Sequence, residues 1–141
     1  LYMDDGQTFA YRDDQAYLAR KFTLARDGPG HLRLASTSLT GRDIHTSASS
    51  TALQVPGNAY EQETSSVRVE RIIVYGLPEV HRIIARDAHG HETSLAFTYT
   101  SGTSRSPTAS DASARLASRL EIRDPRVLIG QDWSILMEIA P

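Results

Sequence analysis

The chain has 141 residues, a length typical of one domain, and such a domain buries well over half of the surface that its unfolded form exposes. The formal net charge is -2, and the 15 Lys and Arg residues are spread along the chain, which argues against a nucleic-acid-binding surface. The sequence has no run of about 18 apolar residues that would predict a membrane span, and without Cys it forms neither disulfides nor thiolate metal sites.

The first residues predict a strand that runs directly into a turn. Residues 1–3 precede Asp4, Asp5 and Gly6, and the chain begins with Leu, so we expect it to be a fragment of a longer protein. Paired carboxylates can serve as acid and base, but neighbours along a strand point to opposite faces. We therefore predict that Asp4, Asp5 and Gly6 form a structural turn or a domain contact without a catalytic role.

Apolar residues recur at every second position in most later segments, which predicts β-strands with one face in a core. The pattern makes Phe22, Phe97, Trp133 and Ile135 predicted core residues. Ile73, also a predicted core residue, lies in a short run that is apolar on both faces, which predicts a strand covered on both sides. The segments with strand character are 17–24, 31–35, 67–75, 80–86, 92–100, 120–123 and 132–139.

Two stretches interrupt these strands. In residues 36–66, 12 of 31 residues are Ser or Thr, and in residues 101–115 the count is 7 of 15. Such segments bury too little apolar surface to offset the entropy of ordering them. The sequence therefore predicts one all-β domain over residues 1–141, a two-layer antiparallel β-sandwich with two mobile loop insertions.

The remaining candidates, for a metal site and for a phosphate-binding loop, lack the further residues that such sites need. His89 and His91 have the spacing of two metal ligands on one strand, but zinc needs a third ligand, and the polar residues around Gly90 favour a hairpin tip. Gly28-Pro29-Gly30 lacks the Lys-Ser or Lys-Thr pair of a phosphate-binding loop. We predict no catalytic residue, substrate-binding residue, metal or cofactor in this chain.

Aromatic residues are the main alternative signal, because carbohydrate-binding sandwiches expose rings on which sugars stack. Trp133 is in phase with Ile135 and Met137, which favours a core position over a sugar platform. Four tyrosines are less committed to a core: Tyr2, Tyr11, Tyr17 and Tyr60. An independent carbohydrate-binding module thus stays open as an alternative.

Three blocks carry a resemblance to a known family. Residues 1–11, LYMDDGQTFAY, followed by a strand with Phe22, resemble the start of the distal C-terminal sandwich of glycoside hydrolase family 31. Residues 69–76, VERIIVYG, and residues 132–135, DWSI, resemble the endoplasmic-reticulum branch of that family more than its lysosomal or secreted branches. The two Ser/Thr-rich stretches depart from the family pattern.

The resemblance implies a parent enzyme, a retaining exo-α-glucosidase that trims α-1,3-linked glucose from high-mannose N-glycans in the endoplasmic reticulum lumen. Its two catalytic Asp residues would lie on a (β/α)₈ barrel outside this chain. The implied partners are that barrel, the other domains of the enzyme, a non-catalytic β subunit and, through the parent enzyme, the glucosylated N-glycan. Neither nucleic acid nor a membrane is an expected partner.

Overall fold

The computed structural model describes residues 1–13, 16–39, 60, 63–102 and 117–140. The strands in these ranges form two antiparallel sheets, and the one helix has four residues, so the all-β sandwich predicted from the sequence is confirmed. In chain order the elements are β1 (Tyr2–Met3), α1 (Ala10–Asp13), β2 (Leu18–Arg26), β3 (His31–Ser38), β4 (Arg71–Tyr75), β5 (Val80–Arg86), β6 (Glu92–Ser94), β7 (Phe97–Thr100), β8 (Arg119–Arg123) and β9 (Trp133–Ile139).

The larger sheet has the order β1-β2-β3-β9-β5-β6, and the smaller has the order β4-β8-β7. The last strand, β9, lies in the middle of the larger sheet and pairs with β3 and β5. Its side chains alternate strictly between buried and half-buried, because every second residue points into the space between the sheets. Trp133, Ile135, Met137 and Ile139 form the buried row.

The hairpin between β2 and β3 depends on two glycines. Gly28 and Gly30 have φ values of 97° and 71°, in the region that side chains with a Cβ rarely adopt. The resulting turn brings the two strands into register from Arg20 opposite Ser38 to Arg26 opposite Leu32.

The segment 92–100 was predicted as one strand, but it forms two. β6 pairs with β5 in the larger sheet, whereas β7 pairs with β8 in the smaller one. Between them, Leu95 is buried and donates its backbone N–H to the oxygen of Ile83 at 3.0 Å. The chain therefore crosses from one sheet to the other at Leu95 and Ala96, and continuous alternation of apolar residues did not reveal this crossing.

The core joins the two sheets through β9, β5 and β8. Ile83, Leu120, Ile122 and Ile135 are fully buried in it, and Phe97 packs against it from β7 while remaining half-buried.

Two predicted core residues lie elsewhere. Phe22 is on the core-facing side of β2, yet 43% of it is exposed, because the smaller sheet is narrower and does not extend over this end of the larger one. Ile73 is 38% exposed, since it points away from the core while Ile72 and Val74 point towards it. The prediction that this strand is covered on both sides is therefore wrong for the described part of the chain.

The boundaries of the two predicted insertions are partly corrected. The first was predicted to begin at Ser36, but β3 continues through Ser38, where its residues still pair with β2. Most of both insertions, residues 40–59, 61–62 and 103–115, lies outside the described residues, so their predicted mobility stays a prediction.

Candidate functional site

The Asp-Asp-Gly segment forms a turn whose carboxylates bind backbone N–H groups. Asp4 Oδ1 accepts from Gly6 N at 2.8 Å, and Asp5 Oδ1 accepts from Gln7 N at 3.2 Å and Thr8 N at 3.1 Å. Gly6 has a φ of 62°, which explains glycine at this position. The hydrogen bond from the Thr8 hydroxyl, followed by the backbone bonds from Thr8 and Gln7, holds the pKa of Asp5 below its usual value. Both carboxylates thus serve the turn, and the domain contact stays a prediction.

This turn is held to the rest of the domain from two sides. The Tyr60 hydroxyl donates to the backbone oxygen of Asp4 at 3.0 Å. Leu1 exchanges two backbone hydrogen bonds with Arg20, one from each residue, at 2.8 and 2.9 Å.

The most buried charged group of the described residues is Arg20, which is 2% exposed. Its guanidinium donates to Ser36 Oγ at 3.1 Å, to the backbone oxygens of Gly130 and Gln131, and to Asp132 Oδ1 at 2.7 Å. Arg20 therefore fixes the segment that leads into β9 against β2 and β3. In the sequence Arg20 is in phase with Leu18 and Phe22, and nothing there indicates this role, because three of its four partners are over 100 residues away.

A second charged cluster covers the outer face of the smaller sheet. Glu121 is 6% exposed and accepts from Arg119 at 2.6 Å and from Arg123 at 2.8 Å, with Arg71 at 3.4 Å. The hydrogen bonds from Arg119 and then Arg123 hold the pKa of Glu121 below its usual value, and they outweigh the effect of burial. Tyr75, on the same face, is 63% exposed.

His89, Gly90 and His91 form the turn between β5 and β6. Asp87 Oδ1 accepts from the backbone N–H of His89 at 2.8 Å and of His91 at 2.9 Å, and Oδ2 lies 3.1 Å from His91 Nδ1. Burial alone would raise the pKa of Asp87, but together the bonds from His91 and His89 hold it below its usual value. Among the residues that the structure describes, no three His, Asp or Glu side chains are grouped to hold a metal ion.

A cavity of about 450 Å³ lies at the end of the sandwich where β9 begins. Its wall is formed by the β5–β6 turn and by the segments around residues 68, 126–128 and 131–133. Trp133, 5% exposed, is one of the lining residues, and its indole Nε1 is buried without a hydrogen-bond acceptor in the described part of the chain. An unsatisfied buried donor costs about 1 to 3 kcal/mol, and among the described residues Nε1 is the buried side-chain polar atom left in this state.

The cavity does not have the chemistry of a glycosidase active site. Such a site needs one carboxyl group with a raised pKa as the acid and a second carboxylate across the bond. Asp87 has a lowered pKa, and Asp132 Oδ1 already accepts from Arg20 and from Ser38 N. Both carboxylates serve local structure.

Three of the four tyrosines that were open to a sugar-binding role have structural contacts. The rings of Tyr2 and Tyr17 stack on each other with centroids 5.4 Å apart, and Tyr2 is 51% exposed. Tyr60 holds the Asp4 turn, and the side chain of Tyr11 lies outside what the structure describes.

The fold can be compared with those of known proteins. No family model and no curated protein matches the sequence. Solved structures match over 97% of this chain. They include the endoplasmic-reticulum glucosidase II heterodimer of the catalytic subunit with the binding domain of the regulatory subunit (TM-score 0.63, 23% identity, 12% of that chain covered). The fold is that of a small segment of glucosidase II.

Two ligand-bound structures of the glucosidase II α subunit also match over 97% of this chain. With DNJ the TM-score is 0.59, and with Glc1Man2 it is 0.58. Identity is 23% for both, and the match covers 12% and 13% of the α subunit respectively. The chain thus spans about an eighth of these proteins. At this sequence identity the likeness shows the fold. No helix in the described ranges is long and apolar enough to cross a membrane.

Proposed function

We propose that this chain is a non-catalytic C-terminal β-sandwich of a glucosidase II-like α subunit. The parent enzyme would be a retaining exo-α-glucosidase of glycoside hydrolase family 31 that trims α-1,3-linked glucose from high-mannose N-glycans in the endoplasmic reticulum lumen. The observation that carries this proposal is the likeness over 97% of this chain to only 12–13% of the glucosidase II chains. The described residues supply no acid and base pair of their own.

The role of the domain would be to support the catalytic barrel. The core-facing side of the larger sheet extends beyond the smaller sheet, and there Phe22 and Leu24 are each 43% exposed. Past Arg20, β2 has no backbone partner on its outer side among the described residues. Exposed apolar side chains next to an open strand edge are typical of a surface that another part of a protein covers. We assign this cover to neighbouring domains of the parent chain.

A β subunit is the proposed partner of the parent enzyme. One of the matching structures is a complex of the catalytic subunit with the binding domain of a regulatory subunit. This chain would reach that partner and the glycan substrate as part of the assembled enzyme.

The proposal is tested by isolating the native protein with an antibody raised against the 141-residue chain. We expect a polypeptide several times longer than this chain, with α-glucosidase activity on an α-1,3-linked glucose disaccharide. The recombinant 141-residue chain should not hydrolyse that substrate. Recovery of a native protein of about the mass of this chain, or turnover by the recombinant chain, would refute the proposal.

An independent carbohydrate-binding module is the second candidate, favoured by the stacked and half-exposed Tyr2. A glycan array probed with the 141-residue chain separates the two candidates. Binding to glucosylated or mannose-rich glycans that is lost in Tyr2→Ala supports the module, whereas an array without signal removes it.

A further inference from the structure

The outer edge of β2 is covered at its start and open along the rest of the strand. β1 pairs antiparallel with the first residues of β2. Leu1 and Arg20 form the last pair on this edge, and they exchange two backbone hydrogen bonds at 2.8 and 2.9 Å. From residue 21 to residue 26 the same edge has no backbone partner among the described residues.

The hydrogen bonds at the two ends of β2 show which backbone groups are open. Asp27 N donates to the oxygen of His31 on the side of β3, and Arg20 bonds to Leu1 on the other side. Successive residues of a strand direct their backbone groups to opposite edges. The odd-numbered residues of β2 therefore bond to β3, and the even-numbered residues face the open edge. The residues whose N–H and C=O groups are directed at the open edge are Phe22, Leu24 and Arg26.

The side chains along this edge favour a covering strand. Exposed edges are usually protected by a bulge, a proline or a charge that points inward. The pairing of β2 with β3 has no bulge. Between Arg20 and Arg26 the core-facing side chains are Phe22 and Leu24, each 43% exposed. Lys21 is the single charged residue between the two arginines, and it points to the opposite face.

We propose that the residues preceding Leu1 in the parent chain extend β1 along this edge as one continuous antiparallel strand. The inference rests on the proposed function, in which this chain is a segment of a longer one. Continuing the register of β1 places the second residue before Leu1 opposite Phe22 and the fourth opposite Leu24. Residues directly opposite each other share a face, so we expect apolar side chains at these two positions.

Continuity with the existing ladder favours this occupant over a separate chain. Leu1 already fixes the register and the direction of the strand through its two hydrogen bonds with Arg20. Each preceding residue would extend a ladder that has already formed. A second copy of this chain, or a strand from another protein, would lose translational and rotational freedom on binding the same edge.

Amide hydrogen exchange measured by NMR tests the extended ladder residue by residue. The 141-residue chain is compared with a chain lengthened by the native residues that precede Leu1, enough of them to reach Arg26. In the longer chain the amides of Phe22, Leu24 and Arg26 should exchange more slowly by about tenfold or more, because exchange then requires local opening of the ladder. The amide of Thr23, which faces β3, should exchange equally in both chains.

Two matched variants of the longer chain test the apolar side of the ladder. Leu24→Lys places a charge on the core-facing side, whereas Thr23→Lys places the same charge on the opposite face. We expect Leu24→Lys to speed the exchange of the Phe22 amide and Thr23→Lys to leave it unchanged. Thermal unfolding of each variant verifies that it is folded.

Three results would overturn the inference. The first is equal exchange of the Phe22, Leu24 and Arg26 amides in the two chains. The second is charged residues at both the second and the fourth positions before Leu1. The third is protection of these amides in the 141-residue chain that grows with protein concentration, which would mean that a second copy covers the edge. Amide exchange is independent of the glucosidase activity of the native protein, so failure of this inference is distinguishable from failure of the proposed function.

Discussion

Replacement of Arg20 by Met should destabilise the domain strongly. Met keeps a long side chain in the buried site but removes all four side-chain hydrogen bonds of the guanidinium. Ser36, only 1% exposed, then loses the partner of its hydroxyl, and the backbone oxygens of Gly130 and Gln131 lose theirs. Leaving the buried hydroxyl unsatisfied costs about 1 to 3 kcal/mol.

The total effect on the free energy of unfolding should be about 2 to 4 kcal/mol, because the two carbonyls are half-buried and partly regain water. Such a loss is a large part of the 5 to roughly 15 kcal/mol of an ordinary domain, and it should lower the Tm by about 10 °C. Asp132→Asn should cost about 1 kcal/mol or less, because 61% of the Asp132 side chain is exposed and Asn keeps an acceptor oxygen.

The assay is urea unfolding followed by the fluorescence of Trp133, the only tryptophan, with circular dichroism as a second probe of two-state behaviour. Arg82→Met is the matched control, because the Arg82 side chain is 58% exposed and its contact with Glu138 is 3.4 Å long. The reasoning is refuted if Arg20→Met and Arg82→Met unfold at the same urea concentration with the same slope.

Three further outcomes are expected. The folded-state pKa of Glu121 is lowered from 4.5, so its stabilising contribution is present above pH 4.5 and is lost as the pH falls through the folded value. Glu121→Gln should therefore flatten the acid side of a profile of unfolding free energy against pH, and an unchanged profile would contradict this. The double variant Phe22→Ser and Leu24→Ser should reduce self-association of the isolated chain in sedimentation, and equal association would argue against an apolar docking surface. Gly6→Ala should lower the free energy of unfolding in urea by about 1 kcal/mol, because Gly6 has a φ of 62°. Gly130→Ala should cost less, because its added Cβ would lie 3.9 Å from the nearest atom. The reverse order would refute the strain argument.

The structure explains why the sequence was informative about turns. At Asp4, Asp5 and Gly6, the acceptors, the donors and the glycine with positive φ all lie within five residues of each other, so their chemistry is visible in the sequence. The same holds for the glycine-rich hairpin before His31 and for the turn at His89.

Alternation predicted the strands for a similarly local reason. A side chain on an extended chain points to the face opposite to that of its neighbour, and Trp133 to Ile139 show this pattern in both sequence and burial. Alternation does not tell how far the second sheet extends, however. For this reason Phe22 is in phase with the core and still 43% exposed, and the change of sheets at Leu95 left no sign in the sequence.

The sequence by itself determined that this protein is a β-sandwich with polar turns. Only the tertiary structure decided what its buried polar residues do. Arg20 forms a hydrogen bond with Asp132, which lies 112 positions away in the sequence. Arg68, Arg126 and Trp133 line one cavity although they belong to separate segments. Such contacts depend on how the sheets pack, and no pattern among neighbouring residues records them.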